Sequence, residues 1–287
     1  MEIRPFEGFA GDPAISESRG NPGSLRQDRN GLYDEPTPET LPPVGIDLFD
    51  AERLHLVEAE APALSPGNES ARDRVWDRAI QANPKLFDGP VVACAGLGWA
   101  GPRTLILSWV RVTYRHYALR HVPGATALPA LFVNVVQPTH DGRVLAARMS
   151  QTTVSPGRWQ LPGGCVEPPH DGEDLDEAAL GGQAARELVE EMGIATDPEA
   201  LRLWVVTRGE YSSVGLTYLA PPLPESALRK GFAAAANVER AQGREPELDA
   251  IALVRSADEL ACLVGPHADY LEPIVRRYTR APLPGDA

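Results

Sequence analysis

The stretch WQLPGGCVEPPHDGEDLDEAALGGQAARELVEEMGI, Trp159 to Ile194, opens on a Gly-Gly pair after a proline and closes on a helix carrying three glutamates. At about 100° per residue, Glu187, Glu190 and Glu191 fall within a sector of roughly 100°, so three carboxylates share one face. Ala178, Gly181, Ala185, Leu188 and Met192 lie on the other side, which predicts an amphipathic helix packed on a small apolar face. Glu187 and Glu191 form a like-charged i,i+4 pair, unfavourable by roughly 0.2–0.5 kcal/mol in an isolated helix. A cation between the two carboxylates would account for it. Gly193 is well placed as the residue that ends the helix.

Composition narrows the class. The chain has 287 residues, room for one large domain or two small ones, and a hydrophobic fraction of 43%, ordinary for a soluble globular protein. The longest apolar runs, such as Leu131–Val136, are far too short to span a bilayer, and no basic segment followed by an apolar stretch opens the chain. Cys94, Cys165 and Cys262 are odd in number and widely separated, which argues against a disulfide framework and for a reduced, cytoplasmic setting. Net charge is −13, from 27 basic and 40 acidic residues, so polymeric nucleic acid is an unsuitable partner. Residues 171–191 hold eight acids against one base, Arg186, more than half of that net charge.

Residues 1–45 contain seven prolines and six glycines but only eight Leu, Ile, Val or Phe. They read as an N-terminal arm, either laid across the domain surface or a partner subunit of a homodimer, or a floppy tail. Residues 46–287 read as the domain itself, with an N-terminal subregion at 46–125 and a core at 126–280. The pattern predicts an irregular strand over 46–59 and a helix over 71–81, capped by Asn68 or Ser70 and ended by Asn83-Pro84. Strands are expected at 91–94, 104–112, 131–136 and 144–149, the last two joined in a hairpin across Asp141-Gly142. Further strands are expected at 203–207, 215–220 and 250–254, and helices at 224–241, 258–264 and 269–279. Strands dominate the middle and helices flank them, an α/β class with a mixed sheet covered on both faces.

The segment resembles an interrupted Nudix box. Arg186-Glu187-Leu188-Val189-Glu190-Glu191-Met192-Gly193-Ile194 matches the second half of that pattern in full, and Trp159 to Gly164 matches the lead-in. The first half is stretched: eight residues separate Gly164 from Glu173 where the pattern has five, and twelve separate Glu173 from Arg186 where it has seven. The resemblance implies a Nudix-like α/β/α sandwich preceded by an N-terminal extension, and a pyrophosphohydrolase that uses Mg²⁺, with Mn²⁺ as the alternative. It also implies Glu187, Glu190, Glu191 and the Gly164 carbonyl as metal ligands, Arg186 as the residue orienting Glu190, and an outer role for Glu173 or Glu167.

The physical chemistry fits that implication. A diphosphate is an anion approaching an acidic site, and hard cations accept oxygen from carboxylates and phosphates together. Glutamates at i, i+3 and i+4 on a rigid helix place such ligands with little entropy to lose. Similar enzymes draw a base or further ligand from a loop before a late strand, here Arg244 to Asp249, with Glu247 the first choice and Glu245 next. Cys165 is read as a small packing residue and His170 as loop surface. Tyr114, Arg115, Tyr117 and Arg120 interleave rings and cations that could stack on a base and grip phosphate.

Upstream, Val75-Trp76-Asp77, Asn83-Pro84, Leu86-Phe87-Asp88-Gly89-Pro90 and Thr113-Tyr114-Arg115 are similar to the UDP-glucose/UDP-galactose diphosphatase branch. This implies a nucleoside diphosphate sugar as substrate, split to UMP and sugar 1-phosphate. ADP-ribose or another nucleoside diphosphate derivative is the alternative substrate, and a non-catalytic nucleotide sensor is the alternative of another class. The loop Pro168 to Gly182 reads as an insertion beside the site that shapes substrate access.

Overall fold

Eleven strands are present among residues 45–280, the part of the chain that the computed structural model describes. The arm expected at 1–45 lies outside those residues except for Gly45. The strands are β1 (Asp47–Phe49), β2 (Arg53–Glu58), β3 (Pro90–Trp99), β4 (Thr104–Thr113), β5 (Leu131–Val136) and β6 (Val144–Met149). They continue with β7 (Trp159–Gln160), β8 (Gly163–Cys165), β9 (Arg202–Arg208), β10 (Val214–Leu219) and β11 (Leu248–Val254). The helices are α1 (Pro66–Ala82), α2 (Glu177–Met192), α3 (Glu225–Ala241), α4 (Ala257–Ala261) and α5 (Leu271–Arg280), with a 3₁₀ segment at Tyr114–His121.

The central sheet runs β1-β9-β10-β5-β8 and is mixed, because β10 pairs parallel with β5 while its other neighbours are antiparallel. An antiparallel sheet β11-β6-β7 and a sheet β2-β4-β3 complete the strands. β5 alternates between two cores, as side chains of a strand must. Leu131, Val133 and Val135 pack with Leu180, Leu188 and Met192 of α2, whereas Val136 packs with Leu271, Ile274 and Val275 of α5. Helices therefore cover both faces of β5, the mixed α/β arrangement expected from sequence. No helix among the described residues is long and apolar enough to cross a membrane.

Three local readings are corrected, and one loop is placed. The segment 46–59 is two strands in two different sheets, separated by the turn at Asp50–Glu52. Helix α1 starts five residues earlier than expected, because Ser65 is its cap: Ser65 Oγ accepts from the Asn68 N–H at 3.2 Å and Pro66 fills the first helical position. The turn at Asp141-Gly142 forms, with the Thr139 N–H donating to the Arg143 carbonyl at 2.8 Å, but β5 and β6 do not make a hairpin. They diverge into separate sheets, β5 taking β10 and β8 as neighbours and β6 taking β11 and β7. The loop before α2 folds back onto β2 and β4: the Leu54 N–H donates to Glu177 Oε1 at 2.6 Å, and Arg111 Nη1 donates to the Pro169 carbonyl at 2.8 Å.

Candidate active site

The site is built where β8 meets α2. Asp176 caps α2 by accepting from the Ala179 N–H at 2.7 Å, and Gly193 ends it in the left-handed conformation at φ 61°. Between those ends Leu180, Ala184, Leu188 and Met192 are fully buried, which fixes the rotation of the helix about its axis. The same rotation presents Glu187 and Glu191 to β8. Here the two glycines matter. Gly163 sits at φ +150°, a backbone that a side chain would strain, and its N–H donates to Glu191 Oε2 at 2.8 Å. A Cβ on Gly164 would lie 2.5 Å from Glu187 Oε1, so the missing side chain is the space the carboxylate occupies.

The three glutamates of α2 are not equivalent. Glu191 is 8% exposed, and burial holds its carboxyl well above the usual range, with Glu247 and Glu187 adding to the rise and the Gly163 bond opposing it. Glu187 is half-buried and pushed up to about 7, by burial first and then by Glu190 and Glu247. Glu190 points outward with its side chain 63% exposed, 4.0 Å from Arg186 Nε. Ala178, expected on the apolar face, is also exposed, because the helix begins its packing only at Ala179–Leu180.

Glu247 lies in the loop before β11, near enough for its charge to raise the carboxyls of Glu187 and Glu191. Its backbone carbonyl accepts from the Ser150 N–H at 2.7 Å, which pins the loop against the end of β6. The side chain is exposed in area yet enclosed on the protein side, and this partial desolvation raises its carboxyl, with Glu190 and Glu239 contributing. Beside it opens a groove of about 630 Å³ whose walls include Asn83, Leu86, Phe87 and Tyr114 from upstream, with Thr152 and Glu247 from the core. None of the loop residues 168–182 lines this groove, so the loop expected to shape access does not form its wall.

Other expected residues fall in different places. Arg186 Nη2 pairs with Glu167 Oε2 at 2.6 Å, and Glu173 lies exposed in the loop, so Glu167 rather than Glu173 is the acid linked to the helix. Arg115 is engaged: its N–H and Nε donate to Asp88 at 2.8 and 2.7 Å, and Nη1 lies 3.5 Å from Asp73. It ties the 3₁₀ segment to α1 and the Asp88 turn. Tyr114 packs edge-on against Trp76 at 6.2 Å, so most of the upstream pattern is a packing unit. Cys165 packs beside Val91, Ala93 and Tyr117, as a small core residue would. Asn134 is a buried polar residue that sequence reading passed over; it pairs with Gly163 across β5 and β8, and the only signal was a lone amide inside Leu-Phe-Val-Asn-Val-Val.

The donors are hard carboxylate oxygens around a glycine cradle, the chemistry that Mg²⁺ and Mn²⁺ accept. No three His, Cys, Asp or Glu side chains among the described residues already form a closed cage, because Glu190 faces solvent and Arg186. In kind, these carboxylate oxygens fit a divalent cation. A consequence for stability follows. With its carboxyl pushed up to about 7, Glu187 in the folded protein keeps a proton that an unfolded glutamate releases near the ordinary 4.5. Between those values the native state binds more protons than the unfolded state, so the cation-free protein loses stability as pH rises through this window. Melting curves in EDTA should therefore shift down from pH 5 to pH 8. A divalent ion at a hundredfold excess over its Kd adds about 2.7 kcal/mol, or about 5–10 °C in Tm for a domain of this size, at pH 8 and less at pH 5. A cation effect independent of pH would contradict the placement.

Comparison with known proteins identifies the family. The NUDIX domain family matches residues 129–278, just over half of the chain and the part that holds β8, α2 and Glu247. Among solved structures the chain is similar to the MutT protein from Methanosarcina mazei Go1, at 19% identity and a TM-score of 0.35, covering 53% of this chain and 94% of that one. It is also similar to the E. coli ORF135 protein, at 21% identity and a TM-score of 0.34, covering 55% and 96%. A third is the MutT NUDIX hydrolase from Burkholderia pseudomallei, at 22% identity and a TM-score of 0.32, covering 51% and 95%. No curated protein matches the chain. With the domain matched over residues 129–278, the chain belongs to the NUDIX family, and it carries the carboxylate helix of a Nudix-type pyrophosphohydrolase.

Proposed function

We propose that the chain hydrolyses the diphosphate linkage of a nucleoside diphosphate derivative with a divalent cation, Mg²⁺ or Mn²⁺. Within that class we infer that a nucleoside diphosphate sugar, UDP-glucose or UDP-galactose, is the substrate, split to UMP and sugar 1-phosphate. The observation that supports the chemistry is that Glu187 and Glu191 of one helix face the Gly163-Gly164 cradle inside the family domain, with Glu247 near enough for its charge to raise both carboxyls.

In this reading Glu187, Glu191 and the Gly164 carbonyl would hold the cation, with Glu190, turned outward beside Arg186, at its outer edge. A divalent ion there supplies positive charge for the diphosphate and lowers the pKa of a bound water. Glu247 accepts the proton of the attacking water as its oxygen bonds to one phosphorus. The bridging P–O bond breaks, and its electron pair leaves with the other phosphate. A carboxyl raised above its ordinary range suits that task, because a general base works best with a pKa close to the operating pH. Arg186 acts by fixing Glu167 and Glu190 rather than by touching substrate.

The substrate class rests on the groove. Its volume of about 630 Å³ suits a nucleotide-sized molecule. Asn83, Leu86 and Phe87, which line it, belong to the upstream segments similar to the UDP-sugar branch. In this division the 46–125 subregion supplies one wall and the 126–280 core supplies the chemistry. Phe87 is 77% exposed, and its ring could stack on any base, which keeps ADP-ribose as the second reading. A non-catalytic sensor has no use for three acids held against their own repulsion. Incubation of UDP-glucose, UDP-galactose and ADP-ribose with the protein and Mg²⁺, products identified by mass, should show the UDP-sugars turned over fastest. Preference for ADP-ribose would overturn the sugar reading and leave the hydrolase.

A further inference from the structure

One cation near the site has buried donors without an acceptor. Arg120 lies in the last turn of the 3₁₀ segment, with its guanidinium carbon 4.7 Å over the Tyr117 ring and 5.1 Å over the Tyr211 ring. Its Nε and Nη2 are sealed from solvent and meet no acceptor. Arg115, five residues earlier, has two carboxylate partners; Arg120 has none among the described residues, although the chain carries 40 acids. Burying charged donors without partners is costly, and cation–π contacts offset only part of it. A second feature keeps the arrangement in place. Tyr211 and Ser212 both hold left-handed backbone, φ 54° and 56°, which is strained for residues other than glycine. The turn is closed by the Gly209 N–H to the Ser213 carbonyl and the Ser213 N–H to the Glu210 carbonyl, both 3.0 Å. It leads into β10, whose Val214 N–H donates to the Ala130 carbonyl at 2.7 Å, so Tyr211 stands at the start of β5.

That position adjoins the carboxylates. Tyr117 packs edge-on against Tyr114 at 5.6 Å and against Cys165, the residue after Gly164. Tyr117 thus links the guanidinium to β8, the strand that carries Gly164, and Tyr114 also lines the groove beside Glu247. We propose that Arg120, clamped between Tyr117 and Tyr211, is an oxyanion receptor for a phosphoryl group of the substrate, a role that rests on the diphosphate reading above. The planar fork of Nε and Nη2 matches two phosphoryl oxygens, and the ring sandwich keeps competing water away. Tyr211, 52% exposed, is the side of the sandwich that opens to admit the anion.

The test uses inorganic pyrophosphate and phosphate in EDTA at matched ionic strength, where no cation and no turnover take part. Wild-type protein should show a saturable rise in Tm with either anion. Arg120→Met should lose that response and, without anion, should melt at or above the wild-type temperature, since orphaned donors are gone. Arg120→Gln, read by phosphorus NMR titration, should raise the pyrophosphate Kd by at least tenfold. No anion response in the wild type, or an undiminished response in Arg120→Met and Arg120→Gln, would overturn the proposal, as would a Met variant that melts lower yet binds as before. Anion binding without hydrolysis of any diphosphate would sink the hydrolase reading alone; hydrolysis without anion binding would sink only the receptor.

Discussion

Glu191→Gln is expected to lower kcat by at least about 10²–10³-fold, the scale on which a lost electrostatic contact at a reacting centre is felt, while leaving the protein folded. The glutamine keeps an oxygen for the Gly163 N–H, so the cradle need not move. What it removes is a buried carboxyl that ionises only against the repulsion of Glu187 and Glu247, a cost that a bound cation would offset. The variant in EDTA should therefore melt no lower than the wild type, because an amide replaces a carboxyl whose ionised form burial and its acidic neighbours disfavour. Steady-state rates with Mg²⁺ and melting curves in EDTA check both halves. Rates within twofold of wild type would show that the cation is held elsewhere.

The second large effect is expected from Glu247→Gln. A lost general base costs about 10²–10⁴-fold in rate, and here the loss should fall on kcat with KM little changed. Glu247 lies on an exposed loop whose position is fixed by its backbone carbonyl and not by its side chain, so the variant's stability should be near wild type. Cation binding should persist, because Glu187 and Glu191 are untouched. Glu245→Gln is the control: it lines the same groove, but its carboxylate is absent from the mutual repulsion that couples Glu247 to Glu191. If the Glu245 variant lost activity and the Glu247 variant kept it, the base assignment would be exchanged.

What could be read from sequence divides along a physical line. α2 was legible because its period, its small buried face and its terminal glycine are all local, and Gly193 at φ 61° is where the pattern put it. Spacing placed three acids in one sector, but which edge of that sector meets β8 is decided by packing of Leu180 and Leu188, and the outcome turned Glu190 to solvent. The Asp141-Gly142 turn was local and forms; the partner of β5 was not, since β10 lies some eighty residues further along the chain. Arg115 and Arg120 look alike in the sequence Tyr-Arg-His-Tyr-Ala-Leu-Arg. Only the fold shows that Asp88 and Asp73 claim the first and that two tyrosine rings hold the second without an acceptor. Tyr211 carried no signal at all, because its left-handed turn is imposed by the bonds that close it around β9 and β10.

The most direct measurement is phosphorus NMR of the protein with UDP-glucose, UDP-galactose and ADP-ribose, each with Mg²⁺ and with EDTA. The expected result is replacement of the paired diphosphate resonances by two phosphomonoester resonances with Mg²⁺, and none with EDTA. Unchanged diphosphate resonances for every compound in the presence of the cation would contradict the assignment of Glu187, Glu191 and Glu247 to diphosphate hydrolysis.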